Sequence, residues 1–97
     1  MMYELFETSE FLDCITQLQK RDQNFVRNKL ENYVYPQISE EPHFGINIKK
    51  LKNYTPATWR YRIGRFRVFY TIDEMEKIVL LLFINDNSLT MEPVARK

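Results

Sequence analysis

The sequence predicts an α+β domain: an N-terminal strand, an antiparallel helical hairpin, then a three-strand antiparallel meander, with the helices packed on one sheet face. Three observations predict it. Apolar residues recur at helical spacing from Phe11 to Val34, and at period two from Ala57 onward. Between these regions lie Pro36, Pro42, Gly45 and Pro56 with few apolar neighbours. The 97 residues are 44% hydrophobic and 14% aromatic, enough for one small core and too few for two, so residues 1–97 form a single domain.

Each element has a local reason. Tyr3 and Leu5 alternate with Glu4, which suits a short opening strand. Thr8 and Ser9 supply capping side chains, Glu10 falls in the first turn, and Phe11, Leu12, Ile15 and Leu18 follow at helical spacing. The first helix is expected over about 9–20, with Lys20 and Arg21 favouring its negative end. Asp22 can cap a second helix over about 22–35, whose stripe is Phe25, Val26, Leu30, Tyr33 and Val34 and which Pro36 stops. So short a joint makes the two helices a hairpin. Residues 36–56 read as a loop packed down by Ile38, Phe44, Ile46 and Ile48, with Lys49 to Lys52 a strand end or a turn. The strands of the meander are Thr58–Ile63, Phe66–Ile72 and Lys77–Ile84. Gly64-Arg65 fits a two-residue hairpin turn, and Asp73 to Glu76 a longer one. The run from Ile78 to Ile84 is apolar on both faces, so that strand belongs inside the sheet. Residues 89–97 show no assignable pattern.

Several classes drop out. No apolar run approaches the roughly 18 residues of a membrane span. Met1-Met2-Tyr3-Glu4 lacks the pattern of a secretory signal. One cysteine, Cys14, cannot form an internal disulfide, and one Cys with one His cannot build a zinc site from those side chains. A cytoplasmic location, with no metal and no cofactor, is therefore expected. Cys14 reads as a small packing residue or surface thiol, and His43 as a surface or packing residue.

The net charge of +1 conceals a segregation. Residues 1–41 carry net −4 and residues 73–97 net −2, whereas residues 42–72 carry no acid and seven bases. Those seven are Lys49, Lys50, Lys52, Arg60, Arg62, Arg65 and Arg67. Two readings stand: an anion-binding face with phosphate the first candidate, or a lysine-rich loop followed by an ordinary surface strand. A two-residue turn at Gly64-Arg65 pairs Ile63 with Phe66, Arg62 with Arg67, Tyr61 with Val68, Arg60 with Phe69 and Trp59 with Tyr70. Opposed residues share a face. Trp59, Tyr61, Ile63, Phe66, Val68 and Tyr70 then form a core face, and Arg60, Arg62 and Arg67 fall on the other with Phe69 and Thr71. Like charges directly opposed cost roughly a few tenths to 1 kcal/mol, so this face calls for an anion. Arginine's planar fork suits phosphate oxygens.

The stretch IKKLKNYTPATWRYRIGRFRVFYTIDEMEKIVLLLF, Ile48 to Phe83, resembles the RelE/ParE toxin superfamily of type II toxin–antitoxin modules, closest to its HigB-like, phage-derived branch. The pieces that carry the likeness are Lys50-Leu51-Lys52 before a turn, Trp59-Arg60-Tyr61-Arg62, Arg65-Phe66-Arg67-Val68-Phe69-Tyr70, and an apolar strand ending at Phe83. The resemblance implies a RelE-like fold. It also implies a ribosome-dependent mRNA endoribonuclease that activates a ribose 2′-hydroxyl against the adjacent phosphate without metal. Arg60, Arg62 and Arg67 match the family's basic positions and carry over as catalytic residues. Lys49, Lys50, Lys52 and Arg65 are expected to contact RNA. The implied partners are a cognate antitoxin, the ribosome and mRNA, with no membrane.

The likeness breaks at the end of the last strand. Active relatives place Lys or Arg just past it and RelE adds a Tyr further on; here the chain reads Asn85-Asp86-Asn87-Ser88, with no Tyr after Tyr70. Arginine stays protonated, so it clamps phosphate but is a poor general base. His43, Tyr54, Asp86 and Glu92 are the candidate proton carriers, none of them specific. A ParE-like inhibitor of DNA gyrase without nuclease activity, or a degenerate homologue that only binds antitoxin, are the alternatives the resemblance leaves open.

Overall fold

A computed structural model describes residues 2–86 of the chain. The predicted tail at 89–97 and the candidate Glu92 lie outside the described residues. Strand β1 is Glu4–Glu7, helix α1 Ser9–Thr16 and helix α2 Lys20–Lys29. A π-helical turn, Leu30–Val34, leads into α3, Tyr35–Glu40. Strands β2 (Ile48–Lys50), β3 (Trp59–Ile63), β4 (Phe66–Asp73) and β5 (Ile78–Asp86) complete the fold. They form one sheet in the order β1-β5-β4-β3-β2; β1 runs parallel to β5 and the other neighbours are antiparallel. The α+β architecture is the one the sequence predicts, and the sheet gains β2 as a fifth, outer strand.

The helical segment departs from expectation at both ends. Thr8 caps α1, its hydroxyl accepting from the Phe11 amide at 3.2 Å. The helix then stops at Thr16, four residues short of the predicted end. The Gln23 amide nitrogen donates to the Leu18 carbonyl at 2.9 Å and the Thr16 carbonyl at 3.3 Å, satisfying carbonyls that the helix end exposes. Lys20 and Arg21 consequently open α2, with Asp22 in its first turn.

Pro36 does not stop the second helix. Val26, Leu30, Val34 and Ile38 are fully buried at a strict spacing of four. In an α-helix of 3.6 residues per turn such a stripe rotates off its face by about 40° per step. The wider π turn returns it, and the Tyr35 amide bonds the Leu30 carbonyl five residues back. Widening the turn also relieves the clash between a proline ring and the preceding turn. Pro36 then sits in the first turn of α3, where its missing N–H costs little. Residues 36–40, predicted as loop, are helix for this reason.

The core lies between the helices and one sheet face. Phe11 and Ile15 of α1 and the four-residue stripe meet Trp59, Tyr61, Ile63, Phe66, Val68 and Tyr70, with Val79 and Leu81 from β5. All fourteen are buried. Two buried tyrosines satisfy their hydroxyls: Tyr70 donates to the Pro42 carbonyl at 2.6 Å and Tyr61 to Gln37 Oε1 at 2.8 Å.

His43 is a packing residue with a charge tie. Its Nδ1 lies 2.8 Å from Glu41 and its Nε2 2.7 Å from Glu74, and its ring meets Trp59 edge-on. Carboxylates only accept, so the imidazole donates at both nitrogens and is protonated. Its pKa is raised, first by the hydrogen bond to Glu74 and next by that to Glu41, against an opposing desolvation. Glu41 is held low by the His43 backbone and side chain, and Glu74 by the His43 side chain. The tie joins the segment after α3 to the β4–β5 turn.

Two outcomes follow. Tyr70→Phe leaves the Pro42 carbonyl buried without its donor, so urea denaturation will show a loss of about 1–3 kcal/mol. The His43 tie contributes fully below the imidazole's ordinary value of 6.5 and fades as pH rises through the raised folded value. Its carboxylates contribute above their ordinary 4.5 and cease to as pH falls through their lowered values. Melting curves of wild type and His43→Gln will therefore differ most between those ordinary values and converge at higher and at lower pH.

Candidate nucleic-acid interface

The β3–β4 hairpin turns at Gly64, whose φ of +59° suits a residue without a Cβ. Every predicted pair is present: Trp59 with Tyr70, Arg60 with Phe69, Tyr61 with Val68, Arg62 with Arg67 and Ile63 with Phe66. Burying the aromatic face against the helices sends Arg60, Arg62 and Arg67 to the opposite, open face. Arg62 is exposed, and Arg60 and Arg67 are half-buried. Among the described residues no carboxylate lies within ion-pair distance of the three. The Arg60 guanidinium donates to the Asn47 carbonyl at 3.1 Å. Its pKa is lowered, chiefly by burial and further by the Arg62 and Arg67 cations. The three charges therefore act on one another within a single patch, with no paired anion among the described residues.

Strands β2 and β5 extend that patch. Lys49 pairs with Arg60, so it joins the open face; Lys50 pairs with Trp59 and projects to the other side, its Nζ 5.5 Å from the Trp59 ring centre. Lys52 is exposed in the turn after β2. On β5, Phe83 pairs with Phe69 and Asn85 with Arg67. The Phe69 and Phe83 rings stack at 4.6 Å with planes 16° apart.

Arg65, expected to contact RNA, is paired within the fold. Its Nε lies 3.1 Å from Asp86 and its Nη2 2.9 Å from Asp22, tying the hairpin turn to α2 and to the end of β5. Asp86 and then Asp22 raise its pKa. Side chain Lys50 likewise lies off the arginine face. The proton carriers proposed from sequence are not gathered there either. His43 is held between two carboxylates on the helical side, Asp86 holds Arg65, and Tyr54 sits in the exposed segment between β2 and β3. Cys14 is half-buried on α1 and unpaired in a disulfide. Lys49 adds an ammonium group to the patch, opposite Arg60.

Phe83 and Asn85 escaped the sequence reading. The register from Asp73–Ile78 to Tyr70–Leu81 predicts Leu82 opposite Phe69 and Ile84 opposite Arg67. A β-bulge between Phe69 and Tyr70 shifts that register by one, leaving Leu82 as the extra residue. The signal was indirect: Asn85 on a core face and Ile84 beside an arginine would have been the wrong polarity on both sides.

This is a mixed sheet covered by helices on one side and lined with arginines on the other. No protein-family model matches the chain, and no curated protein matches it by sequence. Solved structures do. A RelBE toxin–antitoxin complex from Mycobacterium tuberculosis superposes with a TM-score of 0.68 at 22% identity, over 89% of this chain and 99% of that one. An arginine double mutant of E. coli RelE bound to a RelB antitoxin peptide gives 0.70 at 18% identity, over 97% and 95%. The YoeB dimer of Staphylococcus aureus gives 0.64 at 17%, over 86% and 94%. The chain has the RelE fold.

The patch makes a prediction about stability. Removing one of two opposed cations, as in Arg62→Gln, will raise stability by roughly a few tenths to 1 kcal/mol at low salt. Added salt will shrink that gain, because screening weakens the repulsion it relieves. Urea midpoints at two ionic strengths measure both.

Proposed function

We propose that this chain is the toxin of a type II toxin–antitoxin module, a member of the RelE/ParE superfamily near its HigB-like branch. It acts in the cytoplasm as an endoribonuclease on ribosome-bound mRNA, without a metal or other cofactor. The observation that carries the reading is the open face itself: Arg60, Arg62 and Arg67 together, with no carboxylate among the described residues to neutralise them, on a RelE fold. Natural folds rarely leave opposed like charges unmatched, and RNA backbone is the polyanion that would match them.

In this mechanism Arg62 and Arg67 hold the scissile phosphate and stabilise the charge that builds on its oxygens. The adjacent ribose 2′-oxygen attacks phosphorus, the bond to the 5′-oxygen breaks, and a cyclic phosphate remains. The 2′-hydroxyl gives up its proton to solvent water and the leaving 5′-oxygen gains one. Lys49, across from Arg60, is placed on the face to supply the latter. Lys52 is free to contact RNA backbone beyond the cleavage site. A cognate antitoxin is the second partner. The complexes that share the fold support it, and acidic residues or a docked helix would cover the basic surface.

One observation favours a second reading, a ParE-like gyrase inhibitor. Asn85 and Asp86 stand at the end of β5, where nuclease relatives carry basic residues, and Asp86 is committed to Arg65.

Expression tests the proposal. Wild type will arrest growth, and Arg67→Ala will not while remaining folded by circular dichroism. Mapping mRNA ends after induction will show new cuts in translated regions. Equal arrest by both proteins removes the arginine face from the activity; arrest without cuts but with DNA damage selects the gyrase reading.

A further inference from the structure

We infer that Gln37 and Gly45 are positioning residues for Arg60: they seat the turn at 44–47 so that the Asn47 carbonyl holds the Arg60 guanidinium ready for a phosphate. The inference rests on reading the open face as a nucleic-acid interface and adds what orders one of its three arginines before RNA arrives.

The Asn47 carbonyl accepts two hydrogen bonds. The Arg62 backbone N–H donates to it at 3.0 Å, and the Arg60 Nη1 at 3.1 Å. The first bond continues the β2–β3 ladder beyond Ile48 and fixes where the oxygen stands. The second uses that oxygen to hold a side chain, and both lone pairs are then engaged. Among the described residues no hydrogen bond or ion pair holds the guanidinium of Arg62 or Arg67, so Arg60 is the ordered member of the three. The carbonyl also turns the negative end of a peptide dipole toward the cation that burial and two neighbouring arginines oppose.

What seats the turn comes from the helical side. The Ile48 N–H donates to the Gly45 carbonyl at 3.1 Å and closes the turn. Gln37, on α3, packs onto it. A Cβ at Gly45 would stand 2.0 Å from the Gln37 Nε2, so only glycine lets that amide lie against the backbone. The same Nε2 lies 3.5 Å from the Phe44 carbonyl, while Oε1 accepts from the buried Tyr61 hydroxyl at 2.8 Å. Phe44 and Ile46 are 75% and 96% exposed, so their side chains do not seat the turn. Tyr61 stands between Arg60 and Arg62 on β3 and points to the opposite face. The turn is thus clasped around the outer edge of β3, by Gln37 and Tyr61 on one side and by Asn47 and the arginines on the other. An arginine held in place beforehand loses less freedom when it grips a phosphate.

Arginine side-chain NMR and RNA binding test this on the full chain. A guanidinium held by a hydrogen bond rotates slowly and shows separate Nη resonances. Wild type should show them for Arg60, identified by their loss in Arg60→Lys, and for Arg65, which Asp22 and Asp86 hold. Gln37→Glu keeps an acceptor for Tyr61 but removes the donor beside the Phe44 carbonyl; Gly45→Ala expels the Gln37 amide. Each should average the Arg60 signals and leave those of Arg65 separate, which also reports an intact fold. Anisotropy with a labelled single-stranded RNA supplies the functional readout. Double-mutant cycles should couple each substitution to Arg60→Gln by about threefold to tenfold, the cost of ordering one long side chain, and to Arg62→Gln by less than about twofold. Arg60 signals that stay separate in both variants overturn the inference. So do substitutions whose effect on binding is the same with and without Arg60, since Gln37 then only satisfies Tyr61. In either case the phosphate reading survives if Arg60→Gln and Arg62→Gln still weaken binding. Wild type that binds no RNA overturns that reading and the positioning role with it, even where the resonances show Arg60 anchored.

Discussion

Gly64 lets the chain reverse in two residues, and that reversal sets the register of β3 against β4. Side chains alternate across a strand, so a slip of one residue would exchange the faces of the whole hairpin. In the register observed, six apolar side chains from Trp59 to Tyr70 meet the helices. The same register forces Arg62 opposite Arg67 and Arg60 beside Phe69. The core and the arginine face are thus two consequences of one turn. Burial of the aromatic face supplies the free energy, at roughly 25 cal/mol per Å² of apolar surface, and outweighs the smaller repulsion on the far side.

How the fold handles its carboxylates separates structural cations from the open patch. Arg65 takes Asp22 and Asp86; Arg27 lies 3.8 Å from Glu7; His43 takes Glu41 and Glu74. All but the local His43–Glu41 contact join elements distant in sequence, and each uses an acid on the helical side or at a strand end. None reaches the three arginines. The chain shows an acid-free stretch over 42–72, and among the described residues folding keeps carboxylates off Arg60, Arg62 and Arg67 while bringing them to His43 and Arg65.

Much of this was legible beforehand because it depends on local rules. Capping at Thr8, the hairpin at Gly64 and the strand pattern from Trp59 to Asp73 follow from side-chain chemistry within a few residues. The errors arose where distant contacts decide. Pro36 promised a helix end, but the buried stripe from Val26 to Ile38 demanded a π turn, and the π turn made room for the proline. Arg65 looked like one basic residue among seven until Asp22 and Asp86 arrived from elsewhere in the fold.

Sequence by itself determined the element types, the core face and the convergence of Arg60, Arg62 and Arg67, because period-two alternation and a two-residue turn leave no freedom in a hairpin. Only the tertiary structure decided which lysine joins them, which arginine is withdrawn, and that Phe83 and Asn85 replace Leu82 and Ile84 on that face. Those outcomes turn on the pairing of β2 with β3 and on a bulge between β4 and β5. Bulge positions answer to packing across the whole sheet, and no local run of residues encodes that.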